Sequence, residues 1–119
     1  MAEAAAFVGW GAPVRGREQQ ALQVFNEAVQ FWGRLQEEGA IESFEVVLLE
    51  PHGGDLNGFA LLRGSREQIA AVRAREDVQR LNTRADLIVE QFGFVDAATG
   101  EGISEQMGIY QEAIQKLTS

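Results

Sequence analysis

The fold is decided by residues 40–64, AIESFEVVLLEPHGGDLNGFALLRG, near the middle of a chain of 119 residues. Two runs rich in valine, leucine and phenylalanine, Ala40–Glu50 and Gly58–Arg63, flank the segment PHGGDLN. Proline interrupts a β-ladder because it has no N–H, glycine allows positive φ, and aspartate and asparagine favour turns. The stretch therefore predicts a β-hairpin whose two strands are joined by PHGGDLN.

The residues before this hairpin predict a strand followed by a helix. Ala4–Trp10, AAAFVGW, is a short apolar run of the kind found in buried strands. Over Arg17–Glu38 large apolar residues recur at steps of three and four, which is helical spacing. They are Leu22, Phe25, Val29 and Trp32. Gly39 follows and is the expected left-handed residue that ends the helix.

The residues after the hairpin predict a second helix, a fourth strand and a terminal helix. Ser65 and Gln68 have the spacing of a capping box, and an apolar line continues from them to Leu81, so we expect one helix here. The run Ala85–Val95, ADLIVEQFGFV, predicts the fourth strand. An amphipathic pattern over about 103–118 predicts a C-terminal helix.

This order of elements, β-α-β-β-α-β with an added C-terminal helix, is the ferredoxin-like arrangement of the α+β class. It predicts a four-stranded antiparallel sheet with two crossover helices on one face. We expect a single domain over 1–119, with its core within about 4–96.

The predicted strands are apolar on both faces. In the first strand of the hairpin, Phe44, Val46 and Leu48 share one face, whereas Val47 and Leu49 share the other. Two crossover helices cover only one face of a sheet, and the single apolar line of the C-terminal helix is too narrow to cover the second. We therefore predict that a second copy covers it, giving a homodimer joined through the sheet by an isologous contact.

Over about residues 4–96 the chain resembles the dimeric α+β barrel superfamily. The resemblance rests on the element order, the helix lengths and the two-faced strands FEVVLL and LIVEQFGFV. The superfamily includes antibiotic-biosynthesis-type monooxygenases, heme-degrading relatives and stress-responsive barrel proteins. The resemblance implies that two ferredoxin-like chains form a dimeric barrel.

The resemblance does not carry the family's heme chemistry to this chain. Heme-degrading members use a histidine on the second helix and an asparagine on the first strand, but SREQIAAVRAREDVQRL has no histidine and AAAFVGW has no asparagine. We therefore expect no cofactor. Cofactor-independent oxygenases of the superfamily often rely on tryptophan or asparagine beside a pocket between helices and sheet. Trp10, Trp32, Asn26 and Asn57 are of these types, but none lies in a motif of that family.

Composition and charge exclude several classes of partner. The net charge of −8 provides no basic surface for a nucleic acid or an anionic membrane, and no apolar run is long enough to span a bilayer. The chain has no cysteine, which suits a reducing compartment. The start, MAEAAAFVGW, lacks the basic and apolar regions of a signal peptide, so we expect a cytoplasmic protein.

The candidate site residues fall into two groups. His52 is the only histidine, and together with Asp55 it is the candidate acid–base pair, although a solvated turn is the favoured explanation of both residues. Trp10, Trp32 and Phe25 are the candidate ligand-binding residues, with core packing as the alternative for Trp32. One histidine with Glu50 and Asp55 does not make a metal site, so we predict none.

Two further carboxylates interrupt the predicted apolar strands. Glu45 and Glu90 need partners if they are buried, and Arg63 and Arg84 are the candidates for ion pairs at the rim of the interface. Two functions stay open at this point. One is a dimeric module that binds a small apolar or aromatic molecule between helices and sheet, and the other is a cofactor-independent monooxygenase or isomerase.

Overall fold

The structure is a computed structural model that describes residues 3–118. The described elements are β1 (Ala4–Trp10), α1 (Glu18–Glu37), β2 (Ser43–Leu48), β3 (Gly58–Gly64), α2 (Arg66–Ala74), α3 (Glu76–Asp86), β4 (Gly93–Ala98) and α4 (Glu101–Thr118). Among these elements, no helix is both long and apolar enough to cross a membrane.

The four strands form one antiparallel sheet in the order β2-β3-β1-β4. β2 and β3 are adjacent and joined by the loop that contains PHGGDLN, so the predicted hairpin is confirmed. The α+β ferredoxin-like fold is confirmed as well. Gly39 has φ of +80° after α1, and Ser65 and Gln68 form the predicted capping box at the start of α2.

The core lies between one face of the sheet and the helices. Ala6 of β1 is paired with Leu62 of β3, and both side chains point toward the helices. Leu35 of α1 and Val72 of α2 pack against this face, and Trp32 belongs to the same cluster with only 5% of its surface exposed. Burial of these side chains is the main force that holds the helices to the sheet.

The other face of the sheet carries apolar side chains that take no part in this core. Phe7 of β1 lies beside Leu61 of β3 and Val95 of β4, and Val47 of β2 lies beside Phe59. The rings of Phe7 and Phe59 stack with their centroids 5.3 Å apart. Val95 is 54% exposed, and none of the five belongs to a packed cluster of the described residues. The two-faced apolar character of the strands is therefore present in the structure.

The second helix differs from its prediction because it is broken into α2 and α3. Arg75 has extended backbone, with φ of −70° and ψ of 136°, and separates the two helices. Its guanidinium bonds to Asp77 on α3 and to Glu38 beyond the end of α1. Acidic residues also favour the start of a new helix at Glu76 and Asp77. A break of one residue leaves the apolar line intact, so periodicity alone does not reveal it.

The fourth strand also differs from its prediction. α3 continues to Asp86, residues 88–92 are irregular, and the strand begins only at Gly93. Gln91 has φ of +54°, which ends any extended run that reaches it. Ile88 and Phe92 are apolar because they pack against the helices and the core, whereas the prediction took them for strand residues.

The C-terminal helix α4 is confirmed, but it extends away from the rest of the chain. Gly102 is its only buried residue within the described range. The chain measures 55 × 37 × 24 Å and has a radius of gyration of 16.3 Å. A compact domain of this length has a radius of gyration of about 13.5 Å. The difference shows that α4 adds length to the molecule without adding to its core.

Candidate ligand pocket

A cavity of about 640 Å³ lies between the helices and one end of the sheet. Its walls come from the end of β1, from α1 and α3, from the hairpin loop 49–57 and from the irregular segment 88–92. Most of its side chains are apolar. The aromatic ones are Trp10, Phe25, Trp32 and Phe92.

Trp10 occupies this end of the sheet because glycine leaves room for it. Trp10 is paired with Gly58, and a Cβ added to Gly58 would lie 2.9 Å from Cζ2 of the indole. The indole meets Phe25 of α1 edge to face, with centroids 5.8 Å apart and planes at 65°. Edge-to-face rings are a favoured aromatic arrangement, so the two side chains hold one another in place.

Trp32 lines the inner part of the cavity. Its ring lies 6.1 Å from that of Phe44, and only 5% of its surface is exposed. Among the described residues, no acceptor bonds to the indole N–H of Trp32 or of Trp10. Neither indole nitrogen is fully buried, so both N–H groups can donate to a polar atom of a ligand or to water.

Backbone hydrogen bonds fix the hairpin loop over the cavity. The Asn57 N–H donates to the Trp10 carbonyl over 2.8 Å, and the Gly11 N–H donates to the Glu90 carbonyl over 2.8 Å. Gly11 therefore lies between the hairpin loop and segment 88–92, since the Asp55 carbonyl is also close to it. One glycine thus joins two walls of the pocket.

The structure brings Trp10, Phe25, Trp32 and His52 to the same cavity, but Asp55 is absent from its lining. His52 is exposed, and its Nδ1 lies 3.0 Å from the Glu50 carbonyl oxygen. Its ring also lies over Gly54 of the same loop. Among the described residues, no hydrogen bond or ion pair joins His52 to Asp55. An acid–base role for the pair stays a prediction without a contact to support it.

The sequence reasoning missed several lining residues. Asn82 of α3 is half-buried at the cavity, and Ile88, Val89 and Phe92 form part of its wall. The signal for Asn82 was its place one residue after Leu81, at the end of the apolar line. Ile88, Val89 and Phe92 were assigned to the fourth strand. In a strand they would pack on a face of the sheet, so no role in a cavity wall was predicted for them.

The charged side chains at the pocket are acidic. Glu18 and Glu50 are part of its lining and both are exposed, so they lie at its rim. One oxygen of Glu18 accepts a hydrogen bond from the Gly16 N–H over 3.1 Å. The lining includes no lysine or arginine.

The predicted ion pairs of the two strand carboxylates have different outcomes. Arg63 and Glu45 form an ion pair with 3.3 Å between nitrogen and oxygen, as predicted. Arg84 instead pairs with Glu27 of α1 over 2.5 Å, and Glu90 lies in the irregular segment before β4. The prediction for Glu90 was wrong because the strand was placed too early.

A second, smaller hollow of about 330 Å³ lies between α1 and the start of α3 and is charged. Hydrogen bonds to Asp77 and then to Glu38 raise the pKa of Arg75 above its usual range. The hydrogen bond from Arg75 lowers the pKa of Asp77 below its ordinary value of 3.8. The charges of Arg75, Asp77 and Glu38 pair with one another. The hollow is therefore a structural feature of the break between α2 and α3, and no ligand is needed to explain it. Among residues 3–118, no three metal-binding side chains cluster.

Comparison with known proteins identifies the fold. No protein-family profile matches the chain, and no curated protein matches it. A dimeric protein of unknown function and ferredoxin-like fold from Bacteroides fragilis is similar in structure, with a TM-score of 0.59 and 13% identity over 81% of this chain and 96% of that one.

Two further solved structures share the fold. One is a candidate antibiotic biosynthesis monooxygenase from Chloroflexus aurantiacus, with a TM-score of 0.52 and 12% identity over 82% of this chain and 93% of that one. The other is SnoaB, a cofactor-independent oxygenase from Streptomyces nogalater, with a TM-score of 0.53 and 14% identity over 82% of this chain and 94% of that one. At such low identity these likenesses establish the fold alone.

Proposed function

We propose that the protein binds a small, largely apolar aromatic molecule in the pocket between its helices and its sheet. The observation that carries this proposal is the cavity of about 640 Å³ with Trp10, Phe25 and Trp32 in its lining. Pockets for small molecules are commonly about 300–1,000 Å³ and apolar, with a few polar groups that orient the ligand. Here the polar groups in the lining include the two tryptophans, Asn57, Asn82 and His52.

We propose further that the protein acts as a homodimer joined through the outer face of its sheet. The apolar side chains on that face, with Phe7 and Phe59 stacked at its centre, support this arrangement. A contiguous apolar patch of this kind is uncommon on a monomer. The similar protein from Bacteroides fragilis is described as dimeric, which supports a dimer here. The pocket lies on the helix side, so dimerisation leaves it accessible.

Quenching of tryptophan emission tests the binding proposal. The probe is 9-anthracenemethanol, a neutral aromatic alcohol that absorbs where tryptophan emits. Because Trp10 and Trp32 both line the cavity, we expect saturable quenching. Phe25→Ala removes the ring that holds Trp10 and should weaken binding about five- to tenfold.

The matched control for this experiment is Phe31→Ala. Phe31 lies on the same helix but lines the charged hollow between α1 and α3 instead of the pocket. This variant should bind the probe about as tightly as the wild type. Quenching that does not saturate, or an equal loss of affinity in both variants, would contradict the proposed pocket.

A second candidate function is a cofactor-independent monooxygenase or isomerase. It is favoured by the polar side chains of His52 and Asn82 in a mostly apolar cavity and by the shared fold with an oxygenase of that kind. Oxygen uptake in the presence of electron-rich hydroxyaromatic compounds would test it. Oxygen uptake by the wild type that is lost in His52→Ala or Asn82→Ala would favour a catalytic function over simple binding. Binding without turnover would leave the first function ahead.

A further inference from the structure

The charge around the pocket bears on which ligands it accepts. Its lining contains two carboxylates, Glu18 and Glu50, and no lysine or arginine. The whole chain carries a net charge of −8, so the long-range field has the same sign as the rim. A bound anion would lose its hydration without gaining a cationic partner.

The aromatic lining favours the opposite charge. The face of an indole attracts a cation because of its negative quadrupole, and Trp10 and Trp32 both contribute to the walls. An amine at the rim would also meet Glu18 or Glu50. We infer that the pocket selects neutral or amine-bearing aromatic molecules and rejects carboxylates and phosphates. This inference rests on the proposed binding function.

Three anthracene probes that differ in one substituent test this selection. They are 9-anthracenemethylamine, 9-anthracenemethanol and 9-anthracenecarboxylate, each titrated against tryptophan emission. In low salt the amine should bind at least about tenfold more tightly than the carboxylate. The affinity of the alcohol should equal that of the amine or lie between the two, and it should exceed that of the carboxylate. The ratio should shrink as salt is added, because Glu18 and Glu50 are exposed and therefore screened.

Charge-neutral variants locate the source of the selection. Glu18→Gln and Glu50→Gln should each reduce the ratio of amine to carboxylate affinity. Glu67→Gln removes the same charge from the exposed first turn of α2, outside the lining, and should leave the ratio nearly unchanged. A carboxylate that binds as tightly as the alcohol would overturn the selection while leaving the pocket in place. If none of the probes quenches, the binding function itself fails.

A separate observation concerns the exposed apolar stripe of α4, which we call the seam. Its residues alternate steps of four and three, which is the spacing of one coiled-coil stripe. They are Ile103, Met107, Tyr110, Ile114 and Leu117. Their exposed fractions run from 42% for Ile114 to 87% for Leu117, so no other part of the described chain covers the seam.

The seam needs a partner outside its own chain. Within residues 3–118, the contacts that anchor α4 lie near its start, where Gly102 packs against the Glu3 carbonyl and Glu105 pairs with Arg66. An amphipathic helix owes most of its stability to packing of its apolar face. The seam covers only about two heptads, whereas a coiled coil that stands alone needs three or four. Pairing of two α4 helices alone would therefore be too weak.

We propose that α4 packs its seam on the second copy of the chain, as a continuation of the sheet interface. α4 begins directly after the edge strand β4, whose Val95 belongs to the outer face of the sheet. An interface through the sheet therefore brings the partner close to the start of α4. This proposal rests on the homodimer put forward above.

Two isoleucines of the same helix provide a matched pair of variants. Ile114→Glu places a charge in the seam, whereas Ile109→Glu places the same charge on another side of the helix at a position that is 61% exposed. Sedimentation equilibrium should show that Ile114→Glu raises the dimer dissociation constant at least about tenfold. Ile109→Glu should change it less than about twofold.

Hydrogen exchange separates this proposal from the homodimer itself. Amides of α4 should be protected at concentrations where the protein is dimeric and should exchange rapidly after dilution to monomer. A wild-type dimer in which Ile114→Glu and Ile109→Glu behave alike, or in which α4 stays unprotected, would overturn the role of α4 alone. A wild-type protein that is monomeric throughout would overturn both proposals.

Discussion

Gly11 shows how closely the backbone is packed around the pocket. A Cβ added there would lie 2.8 Å from the Glu90 carbonyl oxygen and 2.9 Å from the Asp55 carbonyl oxygen. Both atoms are backbone, so Gly11→Ala forces the hairpin loop and segment 88–92 apart. We expect the free energy of unfolding in urea to fall by about 1–3 kcal/mol.

Gly33→Ala is the control for this change. Gly33 lies within α1, and apart from its chain neighbours and the backbone of its own helix, no heavy atom of the described residues lies within 4 Å of a Cβ added to it. An alanine there should raise the free energy of unfolding by about 0.5–1 kcal/mol. If Gly11→Ala were as stable as the wild type, the close approach of the two backbone segments would be wrong.

The pocket residues show how far sequence reasoning reaches at the scale of single side chains. Trp10 ends a strand before a glycine-rich turn, and Phe25 and Trp32 lie seven residues apart on one helix face, so their types and faces could be predicted. The sequence could not predict that Gly58 makes room for Trp10, because that contact depends on the pairing register of two strands. Asn82 of α3 was missed because the other residues that line the cavity beside it include many that are distant in sequence.

At the scale of elements, the break between α2 and α3 depends on the ion pairs of Arg75. Hydrogen bonding to Arg75 lowers the pKa of Asp77, so the pair stabilises the folded state above pH 3.8, and the stabilisation is lost as pH falls through the lowered value. Because 49% of the Asp77 side chain is exposed, its share is at most about 1 kcal/mol. Asp77→Asn should therefore be less stable than the wild type by up to that amount at pH 7.

Thermal unfolding at several pH values checks this expectation. The difference between Asp77→Asn and the wild type should disappear in strong acid, where Asp77 is protonated. Asp86→Asn is the control, because Asp86 is an exposed carboxylate at the other end of the same helix. A deficit of Asp77→Asn that persists unchanged below the lowered pKa would point to packing and not to the ion pair.

The elements also show where the sequence was sufficient and where it was not. β1, β3 and α1 were predicted almost to the residue. α1 has a clear helical period, β1 and β3 are short apolar runs, and a glycine or a turn marks the end of each. The run Ala85–Val95 is mostly apolar, and it divides among the end of α3, an irregular pocket wall and the start of β4. An apolar run indicates that its residues are buried but not which backbone conformation they adopt. The boundaries between α3, the irregular segment and β4 could therefore not be predicted.

At the scale of the whole molecule, the outer sheet face predicts the state of association. Sedimentation at micromolar concentration should give twice the chain mass of 13.1 kDa. Leu61→Asp places a charge in the centre of that face, beside Phe7, and should give a folded monomer. Leu87→Asp is the control, because Leu87 is 60% exposed at the end of α3 and should leave the dimer intact. A wild-type protein that is a monodisperse monomer would contradict the proposed homodimer.

We expect a small aromatic molecule to bind in the pocket on the helix side of the sheet. The most direct test is a ¹H–¹⁵N spectrum recorded during titration with 9-anthracenemethanol, because the chain has only two tryptophans and hence two indole N–H signals. We predict that the indole signals of Trp10 and Trp32 both shift and saturate together, along with backbone signals of the hairpin loop. Indole signals that stay unchanged while signals of Phe59 and Leu61 on the outer face move would contradict the claim.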